Sequence, residues 1–233
     1  MPESIVPLSI LISIAVALAI AELIVPARAA ARRRWPYNLA LGLVGFLIGI
    51  GASAILSLSG AVWAEANGAG LFHWLGLSPL VAVPLAVVLL DLAIYWQHRW
   101  LHSIPLLWPL HRLHHLDEAM DISTGVRFHP GEVLVSALYK LVVVVALGAL
   151  PLAVAIFQIL LTTASLWEHA NLRIPPAIDS RLRHVIVTPA MHFIHHGRDG
   201  GDMRTNYGFS TSLWDRLFAS YREQPTTDRL GAE

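Results

Sequence analysis

The side chains best equipped for chemistry in this sequence are its histidines, twelve in number and gathered into runs. His98-Arg-Trp-Leu-His102 sets two imidazoles four residues apart. On a helix that spacing stacks them on one face, suiting two ligands of one metal or of neighbouring metals. His111-Arg-Leu-His114-His115 and His192-Phe-Ile-His195-His196 share a second pattern. Offsets of three and four keep two rings on one face, and the adjacent pair turns a third toward a second metal. At this histidine frequency one HxxHH is expected by chance about 0.03 times, and the chain has two. A lone histidine is most often a hydrogen-bonded surface or core residue, but three clusters read as metal ligands. With no cysteine, disulfides, thiolate metal sites, Cys-ligated Fe–S clusters and a Cys nucleophile are all excluded.

The elements that must hold these rings are membrane helices. Of the 233 residues, 55% are hydrophobic and 14% charged, against roughly a quarter charged in a soluble domain; the mean hydropathy is +0.58. Five apolar stretches stand out: Ile5–Val25, Tyr37–Ser59, Leu80–Trp96, Val133–Leu150 and Leu152–Trp167. The first, as a helix, is about 31 Å long, enough for a hydrocarbon core of about 30 Å. Gly148-Ala149-Leu150-Pro151 breaks the last two into a hairpin. The expected fold is therefore all-α, an integral membrane bundle of four to five spans, in a single domain over residues 1–233.

Charge orients the bundle. None of the sixteen Lys and Arg residues lies in 1–27 or 35–98. Arg28, Arg32, Arg33 and Arg34 sit between the first two spans, and the single lysine, Lys140, is inside the fourth. The other arginines lie in 99–131 or after 168. The positive-inside rule then places 28–36, 97–131 and 168–233 in the cytoplasm and loop 60–79 opposite. The hairpin returns the chain to the side it left, so 97–131 and 168–233 can meet as one helical cap carrying the histidines. For a bacterium this is the cell inner membrane. A signal peptide cleaved at Ala27-Arg28-Ala29 fits less well than a signal-anchor, because no positive charge precedes the long apolar run. A net charge of zero gives no bulk attraction to nucleic acid.

The three boxes, HxxxH, HxxHH and HxxHH, placed on one side of a hydrophobic helical bundle, resemble those of the fatty acid hydroxylase/sterol desaturase superfamily. Arg127-Phe128-His129-Pro130-Gly131-Glu132 resembles that family's RFHPxE stretch and Glu168-His169-Ala170-Asn171 its HxN element. Asn206-Tyr207-Gly208 and Trp214-Asp215-Arg216-Leu217-Phe218 resemble its closing segment. The likeness covers about residues 90–222. Residues 80–222 are thus the expected catalytic part, and 1–60 the membrane anchor spans. The resemblance implies two Fe ions, O2 as co-substrate, and hydroxylation or desaturation of a lipid such as a sterol, fatty acyl, carotenoid or alkylglycerol chain.

Imidazole suits iron and zinc alike, so ligand type alone does not choose the metal. The boxes supply eight ligands, and two five- or six-coordinate irons need one or two more. His169 is the first candidate and His129 the second, as ligand or outer partner. His184 has no motif support, and His73 lies in the opposite-side loop. Asp91, Tyr95, His98 and His102 share a helix face, which makes Asp91 an expected acceptor for a ligand histidine's second N–H.

Other signals are weaker. Gly49-Ile-Gly51-Ala-Ser-Ala54 matches a dinucleotide fingerprint but follows no strand; Gly42, Gly45 and Gly49 read better as a helix-packing face. Gly197–Gly201 reads as a turn or flexible lid beside the third box. Trp35, Trp63, Trp74, Trp96 and Trp167 read as interface anchors, and Trp100 and Trp108 as anchors or site lining. Without a nucleotide fold or haem domain, electrons from NAD(P)H are expected through a separate ferredoxin or cytochrome b5-type protein. Arg173, Arg181, Arg183, Arg198, Arg204, Arg216 and Arg222 offer it a docking surface. The competing readings are a non-redox membrane zinc enzyme, for which an HExxH glutamate is missing, and a metal-binding transporter, which would place its ligands near mid-bilayer.

Overall fold

A computed structural model describes residues 5–29, 32–45, 47 and 51–232. Among these every regular element is helical, with three isolated antiparallel bridges and no strand. Gly49 and Ile50 of the dinucleotide-like match lie outside the described residues.

Helix α5, Pro79–Ser103, starts with Pro79 in its first turn, where the missing N–H costs nothing. Its 25 residues rise about 37 Å. That exceeds a hydrocarbon core of about 30 Å, so the helix is long enough to span one with a turn to spare. Helix α7, Pro130–Leu147, and helix α8, Pro151–His169, form the expected hairpin. Gly148 caps α7 at φ 66°, and a Cβ there would meet Ala69 O at 2.6 Å, so only glycine fits the turn. These three helices are long and apolar enough to cross a membrane. On α7, Leu134, Leu138 and Val142 face outward, and on α8 Leu152, Ile156 and Leu160 do the same. Such apolar stripes suit lipid and would be a liability in water.

Helix α1, Ile5–Ile24, is apolar over its shorter stretch Ser9–Ile24. Of the expected second span the structure describes α2, Trp35–Gly45, and α3, Gly51–Ala66. Short helix α4, Leu71–Trp74, packs at the far end of α7. The buried core joins Ala61, Ala82, Ala86, Ala149 and Ala153 to Phe72, Leu90 and Phe157; small side chains let the helix backbones approach closely. Gly42 serves the expected packing role, its Cβ position lying 3.1 Å from Val126.

The remaining helices, α6 (Trp108–His115), α9 (Pro176–Leu182), α10 (Pro189–His195) and α11 (Leu213–Leu217), gather at one end of the spans. That end holds the C-termini of α5 and α8 and the N-terminus of α7. His73 lies at the opposite end, against Gly148, and His184 is exposed. Trp63 and Trp74 are exposed as anchors should be. Trp35 and Trp167 instead donate inward, to Asp121 and to Val187 O.

Residues 1–60 do more than anchor. Asn38 of α2, fully buried, donates to Asp117 and Ser123 and accepts from Arg127. Arg34 pairs with Asp117 and Asp121. Glu22 of α1 accepts the N–H groups of Ile122 and Asn171 at 2.8 and 2.6 Å. Loop 116–128, which carries the second box onward to Arg127, is thereby clamped by the first two helices.

Candidate metal centre

Nine histidines converge in two groups, His98, His102, His111, His115 and His195 in one and His114, His169, His192 and His196 in the other. Within each, the candidate ligand atoms lie within 4.8 Å of one another. The helical spacing explains the division. His111 and His115, four apart on α6, turn into the first group and His114 into the second; on the third box, His195 joins the first and His192 and His196 the second. His169 enters from the C-terminus of α8, and Gly125 lets that helix approach the loop, its Cβ position being 2.9 Å from Ser165 O.

Protons on the far side of the rings fix which nitrogen faces inward. His98 Nδ1 donates to Tyr207 O at 2.9 Å, His114 Nδ1 to Arg127 O at 3.0 Å, His169 Nδ1 to Ser165 O at 2.6 Å and His195 Nδ1 to Thr205 O at 2.7 Å. His111 Nδ1 donates to Glu132 Oε1 at 2.8 Å. A carbonyl or carboxylate only accepts, so each of these rings carries its proton outward and presents a bare Nε2 lone pair inward. Burial, and behind it the neighbouring imidazoles, holds His114, His115, His192 and His196 well below the ordinary imidazole range. Burial pushes His195 down to about 3.

The lone pairs then face one another. His98 and His111 Nε2 are 3.1 Å apart, and His169 Nε2 is 2.9 Å from that of His114, 3.1 Å from His192 and 3.2 Å from His196. Between His98 and His111, and between His114 and His169, no proton is left to make a hydrogen bond. Nε2 of His102 and of His195 are buried with no partner at all. A cation between the rings resolves both defects. A metal about 2.1 Å from each nitrogen sets ligands at right angles roughly 3.0 Å apart, against about 3.4 Å for a tetrahedron. The donor set therefore fits metal ions.

Two expected positions stand apart from the groups. His129 stands in neither group: its Nδ1 accepts the Gly131 N–H at 3.0 Å and caps α7. Asp91 does not reach His98; its Oδ2 accepts from Trp214 Nε1 at 2.8 Å, while the His98 proton is taken by the Tyr207 carbonyl. That carbonyl is set by Asp215, which accepts the N–H groups of Tyr207 and Gly208 at 2.8 and 2.9 Å. Two further carboxylates stand behind the rings. Glu132 holds His111, and Glu168, fully buried, lies 3.7 Å from His192 Nδ1 and 3.8 Å from His169 Nδ1. In the sequence each stands close to a histidine, Glu132 after His129 and Glu168 before His169, at the end of an apolar stretch where a carboxylate needs a use.

Two cavities reach the centre from different sides. One, about 180 Å³, lies between α5, α7 and α8 and is lined by Ile94, Leu101, Phe128, Val133, Leu161 and Phe209, with His98 and His111 at its end. The other, about 460 Å³, touches His102 and is bordered by Trp108, Arg198, Met203 and Arg204. The loop expected as a lid beside it is pinned, because Asp202 accepts from Arg222, Thr226 and Thr227.

The family model for fatty acid hydroxylases matches residues 83–220. Alkylglycerol monooxygenase of Danio rerio is 29% identical over 149 residues, covering 63% of this chain and 31% of its own length. Ornithine lipid hydroxylase OlsE of Rhizobium tropici is 30% identical over 149 residues, 61% of this chain and 42% of its own. Delta(7)-sterol-C5(6)-desaturase of Nicotiana tabacum is 30% identical over 160 residues, 65% of this chain and 54% of its own. The chain thus spans between about a third and a half of these relatives. No solved structure matches.

Proposed function

The chain belongs to the fatty acid hydroxylase family, and on that footing we propose that it is a membrane di-iron enzyme that hydroxylates or desaturates a lipid with O2. The observation that carries the reading is the opposed imidazole lone pairs at the end of an apolar cavity. In this reading His98, His102, His111, His115 and His195 hold one iron, and His114, His169, His192 and His196 the other. The irons, when bound, supply the O2-activating redox chemistry that side chains lack.

The chain's own residues bind, orient and exclude. Ile94, Leu101, Phe128, Val133 and Phe209 shed water from the lipid and set one of its carbons beneath His98 and His111. Glu132 and the Tyr207, Arg127, Ser165 and Thr205 carbonyls lock the rings, which keeps the inward face rigid. Hydroxylation consumes one C–H, O2, two electrons and two protons and releases one water; desaturation takes two C–H bonds and releases two waters. The electrons come from NAD(P)H through a ferredoxin or cytochrome b5-type protein. The cavity at His102, which Ser103, Arg198 and Arg204 help to line, admits O2 and protons. The donor docks on exposed Arg173, Arg181, Arg198, Arg204 and Arg216, while Arg183 and Arg222 pair with Asp179 and Asp202.

The proposal extends to placement: one domain, several membrane passes, and the histidine end in the cytoplasm. A transporter is disfavoured because all nine rings sit at one end of the long helices rather than mid-span. The deciding experiment is lipid mass spectrometry of cells with and without the gene, alongside metal analysis of the purified protein. A lipid gaining 16 or losing 2 mass units, with about two irons per chain, is expected. An unchanged lipid profile, or a protein active with zinc alone, would overturn it.

A further inference from the structure

One polar side chain in the lipid cavity is not accounted for by C–H oxidation. Lys140, the single lysine of the chain, lies on α7 and lines this cavity at 8% exposure. It does not snorkel outward, since Leu134, Leu138 and Val142 take the lipid-facing side of the helix. Among the described residues it has no hydrogen bond and no ion pair. A cation inside a membrane-length helix is costly unless it is paired or used. Glu132, eight residues away on α7, has its Oε1 engaged with His111.

Gln97, Ser136, Gln158 and Thr162 line the same cavity. Ser136 donates to Gln97 Oε1 at 3.3 Å, which leaves the Gln97 NH2 group available. The Gln158 and Thr162 side chains make no hydrogen bond to the described residues. An ammonium with neutral donors near it, walled by apolar groups, selects an anion.

We propose that Lys140, with Gln97 and Gln158, binds an anionic group of the lipid, a carboxylate or phosphate. This rests on the reading that a lipid is oxidised in this cavity. Lys140 is eight residues beyond Glu132, the partner of His111, a rise of about 12 Å. Side chains on a helix lean toward its N-terminus, here toward the histidines. The anion is therefore held within about 12 Å of the histidine layer, and the oxidised carbon lies near the head-group end of the lipid rather than far along its tail.

The test is equilibrium binding of hexadecanoate, hexadecyl phosphate and neutral hexadecanol to the purified full chain in a neutral detergent. The wild type should bind at least one anionic probe about tenfold or more tighter than hexadecanol; which one identifies the group. Lys140→Met should lose that preference and Lys140→Arg keep it. Gln158→Leu, which leaves the charge in place, should weaken the favoured anion about threefold and serves if the methionine variant fails to fold. Equal binding of all three probes, or a preference that survives Lys140→Met, overturns the site. The two readings fail separately. Oxidation of lipids without anion preference removes this site alone, whereas anion preference without any lipid mass change removes the oxidation reading and leaves the site.

Discussion

His98 and Tyr207, 109 residues apart, are joined by a 2.9 Å hydrogen bond from the ring Nδ1 to the backbone carbonyl. The contact ties the first histidine box on α5 to the segment after the third. It turns the His98 lone pair inward, and Asp215 holds it in place through the Tyr207 and Gly208 N–H groups. Asp215→Asn should keep the chain inserted while lowering metal affinity about 10–100-fold, as loss of outer partners does. Metal titration monitored by isothermal calorimetry checks this; unchanged affinity would detach Tyr207 from the site.

Purified protein should carry about two metal ions per chain. His115→Ala and His196→Ala, one from each group, should each abolish turnover and lower occupancy. Elemental analysis reads the occupancy directly. One ion per chain in the wild type, or full activity in either variant, would falsify the dinuclear reading.

Glu132→Gln and Asp91→Asn should separate cleanly. Glu132 accepts from His111, so its variant should lose metal affinity about 10–100-fold. Asp91 accepts from Trp214, so its variant should keep affinity and lose about 1–3 kcal/mol of stability. Parallel metal titrations and denaturation curves distinguish the two, and a reversed pattern would restore Asp91 to the metal site.

His129→Ala should retain both metals and turnover. The lost α7 cap should cost about 0.5–2 kcal/mol. A variant that drops an ion on elemental analysis would make His129 a ligand after all.

Topology is open to cysteine labelling at exposed positions. Asn67, in the turn after α3, and Ser180, on α9, are exposed and lie at opposite ends of the long helices. Asn67→Cys should react with an impermeant thiol reagent outside the cell and Ser180→Cys should not. The opposite result would put the histidine end outside the cytoplasm.

The histidine spacings, the hairpin at Gly148 and the three long helices were legible because each follows from local periodicity or a single turn residue. Partners contributed by distant backbone were not. Nothing in composition says that the carbonyls of Tyr207 and Thr205 will receive ring protons, since every residue has a carbonyl. The partner of Asp91 was hidden for a related reason: it shares a helix face with His98, yet it accepts from Trp214, 123 residues on. The inward use of Asn38 also depends on what the loop after α6 needs. Hydropathy does not register that need.

Each HxxHH box sends rings into both groups, His111 and His115 against His114, and His195 against His192 and His196. In the dinuclear reading each ion would draw ligands from both α6 and α10, so binding of either would fix ligands of the other. Uptake should accordingly be cooperative, with the second ion captured more tightly than the first. In native mass spectrometry of protein supplied with one equivalent of iron, empty and doubly loaded chains should outnumber singly loaded ones. A cell short of iron would thus hold fewer competent enzymes rather than many half-built ones.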